Sequence, residues 1–353
     1  MRRREFIERA STIGLTASCM SAWVGACGRA RQPSRADGLE PELNIYNWSD
    51  YIGPDTTRNF EREFGVRVTY DTYESNEEMA GKLIAGASGY DLVVPTGYLL
   101  PVLTAQGLLA PLDRSHLPNF SNVAPLSLDP AADPGNRYGV PWQWGLTGIA
   151  YRRDKVAAPE SWSVFTSGAA SGRMTMLDDG REVLGAMLKH RGHSLNSTDP
   201  AELEQARQDA IAAKKHLAAY VSAPVKGQLA AGDVWMAQLW NGDARQAAAE
   251  NPNVAFALPR EGSLIWTDYA VVLANCPHPN SAHAFLNYVL RPDQGAAISD
   301  ATGYGTPNQA AAALLRNPVP YPSAAELARL EYQVDLGPAT ELWDRLWTEV
   351  KAA

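Results

Sequence analysis

The sequence predicts an α/β protein with a mostly parallel sheet. Short apolar runs that read as strands alternate with segments of helical period. The chain has 353 residues, enough for two domains and a large core. Charged residues make up 20% and apolar residues 45%, the proportions of a globular chain.

The first strand is Leu43-Asn44-Ile45. It runs into Tyr46-Asn47-Trp48-Ser49-Asp50-Tyr51, and Pro54-Asp55-Thr56-Thr57 then opens a helix, Thr56 to Phe64, that Gly65 stops. The hexapeptide therefore occupies a strand-to-helix loop. In open α/β sheets such loops carry the ligand site. Trp48 and Tyr51 fit core aromatics equally well. Val66 to Tyr70 alternates as a half-buried strand does. Ser75 and Glu78 have capping-box spacing before a helix, Asn76 to Gly86. Tyr90 to Pro95 is a short apolar strand, Thr96-Gly97-Tyr98 its loop, and a helix follows to Gln106.

A second region begins near Tyr138. Tyr138 to Gly145, leading into Thr147 to Tyr151, reads as a strand crossing between domains. Met174 to Leu177 is a strand ending at Asp178-Asp179-Gly180-Arg181-Glu182, and Pro200 to Lys215 is a helix. Val234 to Gly242 reads as a strand with its loop, and Leu264 to Leu273 crosses back. A helix from Ser281 to Leu290 stops at Arg291-Pro292. In the tail, Leu342, Leu346 and Val350 recur at i, i+4, i+8 beside Trp343 and Trp347, as in an amphipathic helix.

Net charge is −8, which argues against nucleic acid or an anionic membrane surface as partner. There is no G-x-S-x-G, no P-loop, no G-x-G-x-x-G and no H-E-x-x-H. His190 and His193 flank Arg191-Gly192 without a metal-site pattern, so neither metal nor cofactor is expected. Three cysteines, Cys19, Cys27 and Cys276, allow no disulfide framework if the first two belong to an export segment. Cys276 then reads as inert core.

What recurs is an aromatic ring beside a carboxylate at strand ends. Trp48 stands with Asp50 and Tyr51, and Trp266 with Asp268. Tyr98, Trp240 and Tyr304 add rings; Asp179 and Glu182 add charge. Ring faces attract ammonium groups by roughly 0.5–2 kcal/mol each. Carboxylates pair the charge, which would otherwise be costly to bury. Such a cleft suits an organic polycation with methylene spacers. Each residue also has an ordinary reading: Trp240 and Trp266 as core, Asp179 as a helix N-cap, Glu182 as a solvated helix residue. Asp179 and Glu182 could instead be a general acid/base pair.

Six segments share a further pattern: Tyr46 to Tyr51, Tyr90 to Pro95, Asp178 to Val183, Leu239 to Gly242, Ile265 to Asp268 and Gly303 to Asn308. Together they make the chain resemble the extracytoplasmic spermidine/putrescine-binding proteins of bacterial ABC polyamine importers, from about Leu43 to the C-terminus. The resemblance implies the two-lobed type II periplasmic-binding-protein fold, each lobe a mixed sheet flanked by helices, with ligand in the cleft between them. Lobe one would comprise residues 41–143 and 271–310, and lobe two residues 144–270. Residues 311–353 form a C-terminal helical segment assigned to neither. The resemblance implies ligand contacts from Trp48, Ser49, Asp50, Tyr51, Thr96 and Tyr98. It implies others from Asp179, Glu182, Trp240, Trp266, Asp268, Tyr304 and Gln333. Asp179, Glu182 and Asp268 would meet amino groups while the rings sandwich the methylene chain. It further implies a monomer without catalytic residues, delivering a polyamine to ABC permease subunits in the inner membrane.

Two positions depart from the spermidine-type pattern: Ser49 replaces the usual threonine and Thr96 the usual serine. Ser49-Asp50 matches putrescine-type members, whereas Trp266 matches the spermidine type. Counting four carboxylates, Asp50, Asp179, Glu182 and Asp268, against the ligand's charge favours spermidine over putrescine by about tenfold, or about 1.4 kcal/mol. A receptor for another organic cation, a polyamine-sensing lipoprotein, and an enzyme using Asp179 and Glu182 remain alternatives.

The N-terminus reads as targeting sequence. Arg2-Arg3-Arg4 has twin-arginine character, and the Ala/Ser/Thr/Gly-rich stretch to Ala26 is too short and polar for a membrane span. Residues 1–26 are thus a signal peptide, and residues 27–40 a polar tether. Val24-Gly25-Ala26-Cys27 has the form of a lipidation site, which predicts an exported, periplasmic or extracytoplasmic protein anchored by lipid at Cys27. Removing residues 1–26 takes away four arginines and two glutamates, moving the net charge from −8 to −10. Cys27→Ser should accordingly shift the protein from the membrane fraction to the soluble extracytoplasmic fraction. A Cys27→Ser protein still sedimenting with membranes would refute the anchor.

Overall fold

The computed structural model describes residues 38–353 except Ser88 and Ala223. The signal peptide, Cys19, Cys27 and residues 27–37 of the tether lie outside the described residues. The described residues form ten strands: β1 (Glu42–Trp48), β2 (Arg67–Tyr73), β3 (Leu92–Val93), β4 (Gly139–Arg152) and β5 (Met174–Met176), then β6 (Leu217–Tyr220), β7 (Met236–Trp240), β8 (Val254–Ala257), β9 (Ser263–Val272) and β10 (Leu330–Glu331). They run in the order β2-β1-β3-β9-β4-β7-β5-β6, with β8 on β4 and β10 on β9.

The sheet is mixed rather than mostly parallel. β1 pairs with β2 and β3 in parallel, and β5 with β6 and β7. The two long strands β4 and β9 pair antiparallel with each other and with β7 and β3. β4 and β9 are the two apolar stretches read as crossings. One end of β4, Gly139 to Gln143, pairs with Val271 to Asp268; its other end, Thr147 to Tyr151, pairs with β7. Two lobes therefore share two continuous strands.

Separate cores hold the two halves. Phe60, Leu43, Phe285 and Tyr288 pack on one side. Trp162, Phe165, Met174 and Trp343 pack on the other. Local chemistry explains most boundaries. Helix Thr56–Phe64 ends at Gly65, whose φ of 60° suits glycine. Ser75 accepts from the Glu78 amide, but the Glu78 carboxylate reaches the Glu74 amide instead of closing a reciprocal box. In the tail helix Thr340–Ala352 the buried face is Trp343, Leu346 and Val350, with Leu342 and Trp347 only partly covered. It packs on helices Gly180–His190 and Pro200–Lys214. Cys276 lies past the end of β9, partly exposed, its thiol donating to Asp91. Among the described residues no helix is long and apolar enough to cross a membrane.

The expected loop after β7 is absent. Helix Asn241–Glu250 starts directly at Trp240, so Asn241 and Gly242 lie in its first turn. A Cβ at Gly242 would lie 2.4 Å from ring carbons of Tyr304, too close for any side chain. Gly242→Ala is therefore expected to cost about 1–3 kcal/mol of stability. Urea denaturation in wild-type and Tyr304→Ala backgrounds checks it: the penalty should vanish when the ring is gone. An equal penalty in both backgrounds would place the clash elsewhere.

Candidate functional site

The carboxyl end of β1 delivers Trp48 and the turn after it into a cleft between the two halves of the sheet. Asp50 adopts φ 52°, which turns the chain sharply there. Trp48 donates its indole N–H to the Val94 carbonyl (2.9 Å) and stands edge-on to Trp240, centroids 6.1 Å apart. Trp240 ends β7, so the two rings come from opposite halves of the fold. Tyr51, Trp266 and Tyr304 form a second aromatic group, with centroids 5.2 Å apart for Tyr51–Tyr304 and for Trp266–Tyr304.

The carboxylates sit between these rings. Asp268, on β9, is 4% exposed, and its Oδ1 has no hydrogen-bond partner. Burial pushes its pKa up to about 7, against the lowering effect of the Thr96 and Tyr51 hydroxyls. Asp179 caps helix Gly180–His190, accepting from the Glu182 amide at 3.0 Å. Glu182 is buried rather than solvated, and accepts from Thr147 Oγ1 and Trp240 Nε1, both at 3.0 Å. Burial, followed by the charge of Asp179, raises the Glu182 pKa. Burial likewise raises Asp179 and Asp243.

Twelve of the thirteen residues singled out in the sequence line one cleft, whose unfilled space, open solvent included, is about 700 Å³. They are Trp48, Ser49, Asp50, Tyr51, Thr96 and Asp179, with Glu182, Trp240, Trp266, Asp268, Tyr304 and Gln333. Tyr98 is the exception. Its ring is buried beside Arg181, its hydroxyl donates to Glu77 (3.3 Å), and it lines a larger apolar cleft next door.

Glu74, Asn76, Lys226, Asp243 and Leu264 also line the cavity and were not singled out. Glu74 follows Tyr73 at the end of β2, the same aromatic–carboxylate signal used elsewhere. Asp243 lies one residue beyond the quoted Leu239 to Gly242 segment and accepts from the Tyr304 hydroxyl (2.8 Å). Asn76 holds Thr96 by two hydrogen bonds. Lys226 and Leu264 carried no local signal.

The lining holds six carboxylates, Asp50, Glu74, Asp179, Glu182, Asp243 and Asp268, and one cation, Lys226. Arg181 stays outside it, between the Tyr98 and Trp343 rings and hydrogen-bonded to the Val334 carbonyl. Among the described residues no group of acidic, histidine or cysteine side chains is disposed to hold a metal.

Residues 56–328 match the family of bacterial extracellular solute-binding proteins. The chain belongs to that family. It is 36% identical over 330 residues to the putrescine/cadaverine-binding protein of Pseudomonas aeruginosa, covering 88% of this chain and 93% of that protein. It is 35% identical over 337 residues to the spermidine/putrescine-binding periplasmic protein of Escherichia coli K12, covering 93% and 97%. Its structure resembles the TpPotD lipoprotein of Treponema pallidum, with a TM-score of 0.79, 32% identity and coverage of 88% and 99%. It also resembles the spermidine/putrescine ABC transporter substrate-binding protein PotD of Streptococcus pneumoniae, with a TM-score of 0.74, 32% identity and coverage of 89% and 99%.

The raised pKa of Asp268 carries a stability consequence. Its folded value, about 7, exceeds the ordinary 3.8, so the folded state binds more protons than the unfolded chain between these values. Stability from this group is present at low pH and is lost as pH rises toward 7. Without ligand, Asp268→Asn should therefore raise the melting temperature at pH 8 by at least about 2 °C, and by less at pH 5. Thermal melts from pH 5 to 8 check the sign; an Asp268→Asn protein less stable than wild type at pH 8 would contradict it.

Proposed function

We propose that this protein is the solute-binding component of an ABC importer and captures a linear polyamine, spermidine or putrescine, in the acidic cleft. One observation carries the reading: six carboxylates and a single lysine line a cavity walled by Trp and Tyr rings. Only a cationic ligand relieves that charge. Only a ligand with an apolar body uses the rings, at about 0.8 kcal/mol per buried methylene and roughly 0.5–2 kcal/mol per ammonium–ring contact. An anionic or zwitterionic solute would find no free cation there. The relatives support the same class, since they are named for binding putrescine, cadaverine or spermidine.

Asp268 and Glu182 would each receive an ammonium group, and Trp48, Trp240, Trp266 and Tyr304 would enclose the chain. Residues 41–143 and 271–310 would form lobe one and residues 144–270 lobe two, hinged where β4 and β9 pass between them. The segment from β10 onward would move with lobe two, because β10 pairs with Ser263–Leu264 and the tail helix packs on helices of that half. Closure would present a surface to the permease in the inner membrane. No reaction at Asp179 and Glu182 is required; both are committed to a helix cap and to hydrogen bonds from Thr147 and Trp240. Export, twin-arginine targeting, the lipid at Cys27 and a monomeric state belong to the same proposal; the Treponema relative is named a lipoprotein.

Calorimetry against putrescine, cadaverine, spermidine and spermine tests it. One-to-one binding with a dissociation constant of about 1 μM or tighter is expected, equivalent to about −8 kcal/mol. The absence of heat at millimolar amine, or chemical turnover of the amine, would sink the reading. Trp266→Ala and Asp268→Asn should each weaken binding by about 1–2 kcal/mol, through a lost ring contact and a lost charge-assisted bond.

A further inference from the structure

We propose that Lys226 is a built-in cation that occupies one ammonium position of the cleft and thereby sets it for diamines over triamines. The inference rests on the polyamine reading and assigns the selectivity of that same site.

The cavity has three acidic corners. Asp268 forms one, beside Tyr51 and Thr96. Glu182 and Asp179 form the second. Asp50 and Asp243 form the third, with Glu74 tied in through the Ser49 hydroxyl at 2.7 Å. No lysine or arginine among the described residues makes an ion pair with Asp268 or Glu182. The third corner already holds a cation. Lys226 Nζ lies 2.7 Å from Asp50 Oδ2 and donates to Gln246 Oε1 at 3.0 Å.

That ammonium is placed, not merely nearby. Gln246 donates its Nε2 to the Thr302 carbonyl at 2.8 Å, which turns Oε1 toward Lys226. Lys226 stands on the short helix Val225–Ala231, whose Val225 and Leu229 are fully buried in the core beneath it. Its side chain is about one-fifth exposed and that of Asp50 about two-thirds, so the ammonium is partly dehydrated while its partner faces water. The link runs from the turn after β1 to a helix packed on β7, on the far side of the cleft.

The charge arithmetic of the site changes accordingly. The sequence count set four carboxylates against the ligand alone and favoured spermidine. With Lys226 included, one of the third corner's three carboxylates, Asp50, is already paired, and that corner alone of the three holds a cation. The two corners without a cation of their own, Asp268 and Glu182 with Asp179, are the ones open to the two ends of a diamine. A third ammonium reaching the occupied corner meets a like charge at close range, or must displace Lys226 into worse solvation. Both are repulsive elements aimed at the longer ligand, which is how discrimination among similar ligands is commonly built.

Lys226→Met removes the charge and keeps an apolar stem, and Lys226→Arg keeps the charge. Titration calorimetry with putrescine and with spermidine would be run on wild type and both variants. Wild type and Lys226→Arg should prefer putrescine. In Lys226→Met the spermidine-to-putrescine affinity ratio should rise about tenfold, chiefly through tighter spermidine binding. Equal tightening for both amines would overturn the inference, since Lys226 would then be a latch that competes with any ligand. So would an unchanged ratio, or equal loss for both, in a Lys226→Met protein with wild-type melting behaviour. If wild type binds no amine at all, the polyamine reading falls, and this inference with it. If amines bind with an unchanged ratio, this inference falls alone.

Discussion

Like charges crowded into a space that partly excludes water are the constraint on which the cleft depends. Isolated in apolar surroundings, an ionised carboxylate is strongly disfavoured and takes up a proton instead. Asp268 shows the compromise: it is buried, one oxygen is unpartnered, and its pKa stands near 7. Glu182 reaches the same state by a different route, with two good hydrogen bonds but the charge of Asp179 close by. Such an arrangement costs folding stability. It is tolerated because the apolar cores on either side hold the fold without help from the cleft.

Those cores also explain why the site is stiff where it must be. β9 carries Trp266 and Asp268 through the middle of the sheet, buried along its whole length. β4 runs beside it, and Gly145 permits this: a Cβ there would lie 2.4 Å from the Trp266 ring. The Trp266 indole is therefore fixed from behind. Its N–H nevertheless lacks a partner, which marks the ring as placed by packing, not by hydrogen bonding. Tyr304 is fixed in the same manner against Gly242, and its hydroxyl is anchored on Asp243. The aromatic walls are thus rigid consequences of glycine placement, while the charges facing them are left unsatisfied.

Much of this was legible in the sequence, for physical reasons. A strand-end loop bearing a ring and a carboxylate reads as a site because the pairing recurs along the chain, although each residue alone also fits a core or capping role. That signal picked out the turn after β1; the Trp266–Asp268 pair it also picked out lines the same cleft but from inside β9, not from a strand end. Applied consistently it would also have found Tyr73–Glu74. The long apolar runs were read as crossings because their length and composition suit strands buried on both faces. Parallel and antiparallel pairing was not legible, because alternation of strands and helices does not say which strands pass through both halves. Tyr98 was drawn in by its loop position, yet its ring packs against Arg181. Lys226 was invisible. It sits in a seven-residue helix among small residues, and only the fold brings it 176 positions back to Asp50.

The same charge crowding offers a driving force for closure on the proposed reading. Asp50 projects from the turn after β1 in one half, Glu182, Asp179 and Asp243 project from the other, and Asp268 stands on the shared strand β9. Bringing the halves together with the cleft unfilled concentrates negative charge and removes water from it, and both effects oppose closure. A cation between the halves reverses the sign of the first effect, and its methylene chain fills the space that water leaves. A ligand can shift the equilibrium only by its differential affinity for the two states. Rings and carboxylates of both halves converge on the ligand only in the closed form, but the charge term also reverses the repulsion that opposes closure of the empty cleft. A neutral diol of the same length would supply the apolar contact without the charge. It would gain ring contact on closure but leave the carboxylates repelling one another, so it would favour the closed form less than a diamine does.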